Sequence, residues 1–336
     1  MMFLPSHNSC RAFLLIAALL VVFIASPRVF TQEGVLQRNQ ARARQLLELA
    51  REAMGGDAVL AELQSLRARG KYSRDVKYWS VQSPTKVVEK TRELSGKVEV
   101  EFARPDRFRR RVKGENMRGF GFSYAEVVHG EDAWRDPPLR PISTNRDHRV
   151  IDVSDVERTE WISAMGAKQQ LSYYSLGFLL QPLPGFPMEM AYAGEFDDKS
   201  GTVDVVIAQH RGGFRILLLL DVKTHQLEAL AVSSVESVQQ PVLVESSGYF
   251  DRRFMMETFN RARRERQQRA RPPEHVEVML RFSDRRPVAG LGGNRAVQLP
   301  HRITTTLNGQ IVEELTIHEF ELNRPINPKR FLQKTD

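Results

Sequence analysis

Residues 97–103 read Lys-Val-Glu-Val-Glu-Phe-Ala, a strict two-residue alternation. Val98, Val100 and Phe102 fall on one side, and Lys97, Glu99 and Glu101 on the other. That period belongs to a β-strand with one dry face and one wet face. A chain with many such strands must bury their apolar faces against each other or under helices. Arg104-Pro105 then ends the ladder, because proline has no N–H to donate. The pattern alone fits two readings. One is an ordinary antiparallel sandwich strand ending at a proline; the other is a strand lining an apolar cavity, with Arg104 at its mouth.

The same alternation recurs along the chain. It predicts strands near 66–72, 86–94, 97–103, 108–112, 121–128 and 132–135, and again near 188–195, 202–208, 214–220, 227–235, 242–250, 276–282, 297–307 and 310–322. Ser95-Gly96 reads as a tight turn between two of these. Ile216 to Leu220 is apolar on both faces, so that strand should be covered on both. Asn308-Gly309 favours a two-residue type I′ turn. Such a turn puts Ile303 opposite Glu314, whereas a three-residue loop pairs Ile303 with Leu315 and Leu307 with Ile311. Burial sets register, which favours the longer loop.

Helical spacing is confined to two regions. Leu46, Leu49, Ala50, Ala53 and Met54 form one apolar stripe, Gly55-Gly56 ends that helix, and Asp57 caps a short second one through Leu60 and Leu63. Ser154-Asp155-Val156-Glu157 is a capping box that opens the other region. There Trp161, Ile162 and Met165 make one apolar face, and Leu171, Tyr174, Phe178 and Leu179 make another beyond Gly166. Two short helices with a hinge are expected, stopped by Pro182, Pro184 and Pro187. No βαβ alternation occurs, which removes most nucleotide-binding architectures. The expected fold class is mainly β with covering helices (α+β), a sheet curled around an apolar interior.

Residues 12–25 are uncharged and follow Arg11, but they fall short of the roughly 20 residues that span a bilayer. Residues 1–31 therefore read as a signal peptide, with an uncleaved inner-membrane anchor as the alternative. Cys10 is the only cysteine and precedes the apolar run, so a mature chain would hold neither thiol nor disulfide. The net charge of +8 suits an anionic membrane surface, nucleic acid or an acidic partner. An exported, periplasmic location removes nucleic acid from that set. Residues 251–273 concentrate eight arginines among few acids and read as a solvated basic helical insert, or else as a contact to an anionic membrane surface.

No chemistry-bearing constellation stands out. The histidines beyond residue 31 have no metal-ligand spacing. There is no Gly-x-Ser-x-Gly elbow, and Gly290, Gly292 and Gly293 lie between two strands rather than before a helix. Asp197-Asp198 is explained by a turn. No catalytic residue, metal or cofactor is expected.

Gly96 to Arg109, as Gly-x-x-x-Val-x-Phe-x-Arg-Pro-Asp-x-Phe-Arg, resembles the strand-and-corner motif of the periplasmic carrier of the outer-membrane lipoprotein-sorting pathway (LolA-type, in a superfamily with the LolB and RseB types). Val127 to Trp134 is similar to that family's strand–Gly–x–x–x–Trp hairpin. Leu218 to Thr224 is similar to its strand and Asp-centred turn, and Phe320 to Ile326 with Phe331 to the closing strand and tail of its relatives. The resemblance covers most of residues 42–332. It implies an unclosed, curved antiparallel β-barrel with a helical lid, here about 154–181, shielding lipid or lipoprotein acyl chains. It implies that Val98, Val100 and Phe102 line the cavity, that Phe108 stands at its mouth, and that Arg104 bonds the lid. Trp161, Ile162, Met165, Tyr174 and Phe178 would be the lid face. It also carries an alternative: an envelope-stress sensor contacting a protein partner at the inner or outer membrane. The chain is much longer than the carrier, and the insert at 251–273 has no counterpart there.

Overall fold

The computed structural model describes residues 33–83, 86–115, 121–138, 153–198, 201–235, 244–246, 275–290 and 295–333. The apolar run at 12–25 and the basic insert at 251–273 lie outside them. Helix α1 (Glu33–Ala53) buries Ala43, Leu46, Leu47 and Ala50, an i, i+3, i+4, i+7 stripe. Gly55 and Gly56 stop it at φ of 126° and 93°. A short helix α2 (Asp57–Ala61) follows. Gly56 stands at its N-cap, so Asp57 is not the cap; its carboxylate pairs with Arg51 instead.

The strands are β1 (Ser65–Ser83), β2 (Lys86–Ala103), β3 (Arg107–Glu115), β4 (Gly121–His129), β5 (Asp132–Asp136), β6 (Glu189–Asp198), β7 (Gly201–Gln209), β8 (Arg215–Asp221), β9 (Leu227–Val235), β10 (Val244–Ser246), β11 (His275–Ala289), β12 (Ala296–Leu307) and β13 (Gln310–Leu322). Helix α3 (Val153–Leu179) separates β5 from β6 in sequence. Twelve strands form one antiparallel path, β5-β4-β3-β2-β1-β13-β12-β11-β9-β8-β7-β6, and β10 adds to β1 in parallel. Among the described residues no ladder joins the end strands β5 and β6, so the barrel is unclosed. Its curvature follows from α3. Tyr174 reaches Arg110 of β3, Phe178 meets Phe320 of β13 edge-on at 5.9 Å, and Gly177 lies on Phe282 of β11. One helix touches strands so far apart in sheet order only where the sheet wraps around it.

Two further local expectations are corrected. Ser95-Gly96 is not a turn: β2 runs straight through it. The glycine is there for space. A Cβ on Gly96 would stand 2.6 Å from Tyr72 Cε1, and one on Gly114 2.6 Å from Tyr72 Oη. The buried Tyr72 ring crosses both strands and fills what the glycines leave open. Gly166 does not hinge the second helical region, which is a single helix of 27 residues. A lone glycine costs a helix only about 1 kcal/mol, and here it faces open space.

The Asn308-Gly309 hairpin combines both expectations. Leu307 pairs with Gln310 around a two-residue turn with φ of 48° and 77°. A bulge opposite Thr305 and Thr306 then restores Ile303 against Leu315, as burial demands.

The two faces of the sheet differ. On the convex side Glu101, fully buried, receives Arg67 at 2.9 Å, Arg109 at 2.7 Å and Arg330 at 3.0 Å. Arg330 belongs to a 3-10 turn (Pro328–Phe331) whose buried Phe331 packs on Ala103, Ala125 and Val127. The C-terminal segment is thus held on the outside, while the concave side carries the main core.

Candidate functional site: the concave face and its helix

The inner face of β2 places Val98, Val100 and Phe102 opposite Val112, Arg110 and Phe108 of β3. All three predicted lining residues are buried, as is Phe108. Phe102 and Phe108 tilt against one another with ring centroids 4.8 Å apart. The far half of the sheet contributes Val206, Ile216, Leu218 and Leu220 to the same apolar cluster.

Helix α3 splits into two unlike halves. From Leu171 to Leu179 nearly every residue is buried, and Tyr174 and Phe178 sit in the interior with the strand residues. Met165 packs at its edge. Trp161 and Ile162 do not join them: they are 65% and 51% exposed. A helix of 27 residues is about 40 Å long, and burial along it is uneven, near complete from Leu171 onward and only partial from Arg158 to Gly166.

Arg104 lies at the β2–β3 corner, after which the Arg104-Pro105 peptide is cis. Its Nη2 donates to the Leu60 carbonyl of α2 at 3.1 Å, and its buried Nε has no hydrogen-bond partner among the described residues. The bond therefore ties the corner to α2 rather than to α3.

The cation that meets α3 is Arg110. Its Nε donates to Tyr174 Oη at 3.2 Å. Its Nη1 donates to Tyr124 Oη at 3.3 Å and to Glu126 Oε2 at 3.1 Å. Nη2 faces Glu313 at 4.0 Å. Arg135 stacks over the Tyr124 ring at 4.0 Å. Burial by itself would lower the pKa of Arg110. Tyr174, Glu126, Tyr124 and Glu313 around it outweigh that and hold it well above the ordinary value, so it is charged. Burial raises the Tyr174 phenol, with Arg110 opposing, so the hydroxyl stays protonated at neutral pH. Burial alone pushes the neighbouring Tyr173 up to about 12.

None of Arg110, Tyr124, Glu126 and Glu313 stood among the expected site residues. A signal was present, since Phe108 and Val112 flank Arg110 at period two and so aim it inward. The run Arg109-Arg110-Arg111 hides that signal by looking uniformly wet. Among the described residues no group of three histidine, cysteine, aspartate or glutamate side chains could hold a metal ion. Nor is any described helix long and apolar enough to cross a membrane.

No protein-family model matches the sequence, and no curated protein does. Solved structures do. A domain assigned to outer membrane lipoprotein sorting, from Vibrio parahaemolyticus, is 10% identical over 86% of this chain and 97% of its own, with a TM-score of 0.42. A DUF1329 family protein from Desulfovibrio piger is 7% identical over the same shares, with a TM-score of 0.34. The MucA/MucB complex of Pseudomonas aeruginosa contains a chain 13% identical over 84% of this one and 94% of its own, with a TM-score of 0.18.

Proposed function

We propose that this chain is an exported envelope protein that shields the acyl chains of a lipid or lipoprotein on the concave face of its sheet, acting as a carrier or chaperone. The division of α3 carries the reading. One half plugs the interior from Leu171 onward, and the other leaves Trp161 and Ile162 exposed. A plug built from a single helix can be displaced as a unit. An acyl chain would exchange the contacts of Tyr174 and Phe178 for its own along Val98, Val100, Phe102 and Phe108. Each buried methylene contributes about 0.8 kcal/mol, so a long acyl chain offers roughly 10 kcal/mol against the packing it replaces. Met165 would line the edge of the opening, and Arg104 would hold the corner to α2 throughout.

The test uses the full chain, purified from the envelope of its host. Organic extraction followed by mass spectrometry should find a lipid in stoichiometric amount, and palmitate should displace a bound fluorescent amphiphile such as bis-ANS. A chain that carries no lipid and takes up no probe overturns the reading.

The exposure of Trp161 and Ile162 also favours a second reading, a sensor whose α3 seats a protein partner at the membrane. Co-purification of a membrane protein, lost on Trp161→Ala, would promote it.

A further inference from the structure

Most of the concave face is apolar, and Arg110 interrupts it. A guanidinium presents two working edges. The end carrying Nη1 is committed to the sheet, through Tyr124 and Glu126 of β4. The side edge, formed by Nε and Nη2, is the fork that matches a carboxylate or phosphate with two parallel bonds. Here Nε is taken by the hydroxyl of Tyr174, which belongs to α3. Nη2 has no hydrogen bond among the described residues; its one ionic neighbour, Glu313, lies at 4.0 Å. Arg110 is only 6% exposed, so this half-used fork is a buried one.

The charges around it are unequal. Arg110 and the half-buried Arg135 stand with exposed Arg74, the cross-strand neighbour of Glu313, against the carboxylates of Glu126 and Glu313. Among the described residues three cations meet two anions. Withdrawing α3 removes Tyr174 and leaves both nitrogens of the fork facing the interior. A buried cation that loses a partner is costly unless another acceptor takes its place.

We infer that the Arg110 fork is the polar end of the ligand site, and that it takes the anionic group of an amphiphile, a carboxylate or a phosphate monoester, in place of Tyr174. This rests on the acyl-chain reading above and adds a headgroup class to it. Head and chain then act together. The chain displaces the apolar side of α3, and the anion compensates the bond that α3 made to Arg110.

The experiment titrates the full-length protein with three probes of one chain length, palmitate, hexadecyl phosphate and hexadecanol, each competing with bis-ANS. Wild type should bind one or both anions at least about tenfold tighter than the alcohol, the scale of one charge-assisted hydrogen bond. The stronger of the two assigns the headgroup as carboxylate or phosphate. Arg110→Gln should abolish the preference, bringing the anions to the level of hexadecanol, whatever gain all three probes share from losing the bond to Tyr174. Arg110→Lys keeps the charge without the fork and should lower the preference about threefold or more; it is the readout if Arg110→Gln does not fold. Equal binding of anions and alcohol by wild type, or a preference that survives these substitutions, overturns the inference and leaves the acyl-chain reading standing. No binding of any probe overturns both.

Discussion

Gly177 offers a way to ask whether α3 is lid or core. It lies in the buried half of the helix, where a Cβ would overlap Cε1 and Cζ of the Phe282 ring and stand 3.2 Å from Cδ1. Phe282 is itself buried in the main core, so the ring has little room to give. Overpacking of this kind costs about 1–3 kcal/mol, while alanine gains about 1 kcal/mol over glycine within a helix. Gly177→Ala should therefore destabilise docked α3 by up to about 2 kcal/mol. A lower urea midpoint shows that the clash is felt. The affinity then decides. If ligand displaces α3, the penalty falls on the closed form alone and the bound form escapes it. Palmitate should then bind tighter by up to roughly thirtyfold, since 1.4 kcal/mol is a factor of ten. Fluorescence displacement alongside urea unfolding measures both quantities on one preparation. A lower midpoint with unchanged or weaker palmitate binding would refute displacement of the helix.

Other parts of the fold make their own predictions. Gly114→Ala should be destabilising because its Cβ meets the Tyr72 hydroxyl, and part of that loss should vanish in a Tyr72→Phe background, as a double-mutant cycle in urea would show. Glu101→Gln leaves Arg67, Arg109 and Arg330 sharing a neutral amide in a buried site and should cost about 3 kcal/mol or more in chemical unfolding. Phe331→Ala empties the convex-face cluster and should cost about 3–5 kcal/mol by the same measurement, with probe binding on the concave face retained. Asp221 is held below its ordinary pKa of 3.8, chiefly by the backbone N–H of Thr224 and then by the Thr224 hydroxyl. Its contribution is whole above that ordinary value and is lost as pH falls through the lower folded one. Urea midpoints recorded from about pH 5 downward should therefore decline less steeply in Asp221→Asn than in wild type.

Strand existence was legible because burial is one-sided and period two is hard to mimic; β9 and β13 fall at their expected bounds. Strand length was not. Nothing local to 65–83 announces a single strand of 19 residues, because much of its support comes from β2 pairing along nearly its whole length. Glycine was misread for the same reason. At Ser95-Gly96 the turn signal is local, but the cause is the ring of Tyr72, more than twenty positions away in sequence. The Asn308 hairpin shows local and tertiary rules both being obeyed. Turn chemistry sets the loop, burial sets the register, and a bulge absorbs the one-residue difference between them. In α3, periodicity identified an apolar face at Trp161 and Ile162, yet it cannot say where a helix outruns the core that buries it.

The two arginines of the β2–β3 region show why a motif and a geometry can point to different residues. Arg104 is conspicuous because it precedes a proline at a strand corner, and it shares the Leu60 carbonyl at the end of α2 with the Leu63 N–H. That bond joins the corner to α2 and involves no residue of α3. Arg110 is inconspicuous, one of three consecutive arginines, but period two turns it inward and makes it the guanidinium that bonds both the sheet and α3. A group that reports on the helix must lose something when the helix leaves. Among the described residues Arg110 meets that condition through Tyr174 of α3, whereas the partner of Arg104 belongs to α2. Tyr174→Phe should therefore ease displacement of α3 and tighten palmitate binding. Arg104→Leu should instead loosen the α2 corner, seen as a lower urea midpoint, without changing the affinity. Equal effects of the two substitutions on palmitate binding would show that corner and helix move together, and would return Arg104 to the role its motif implies.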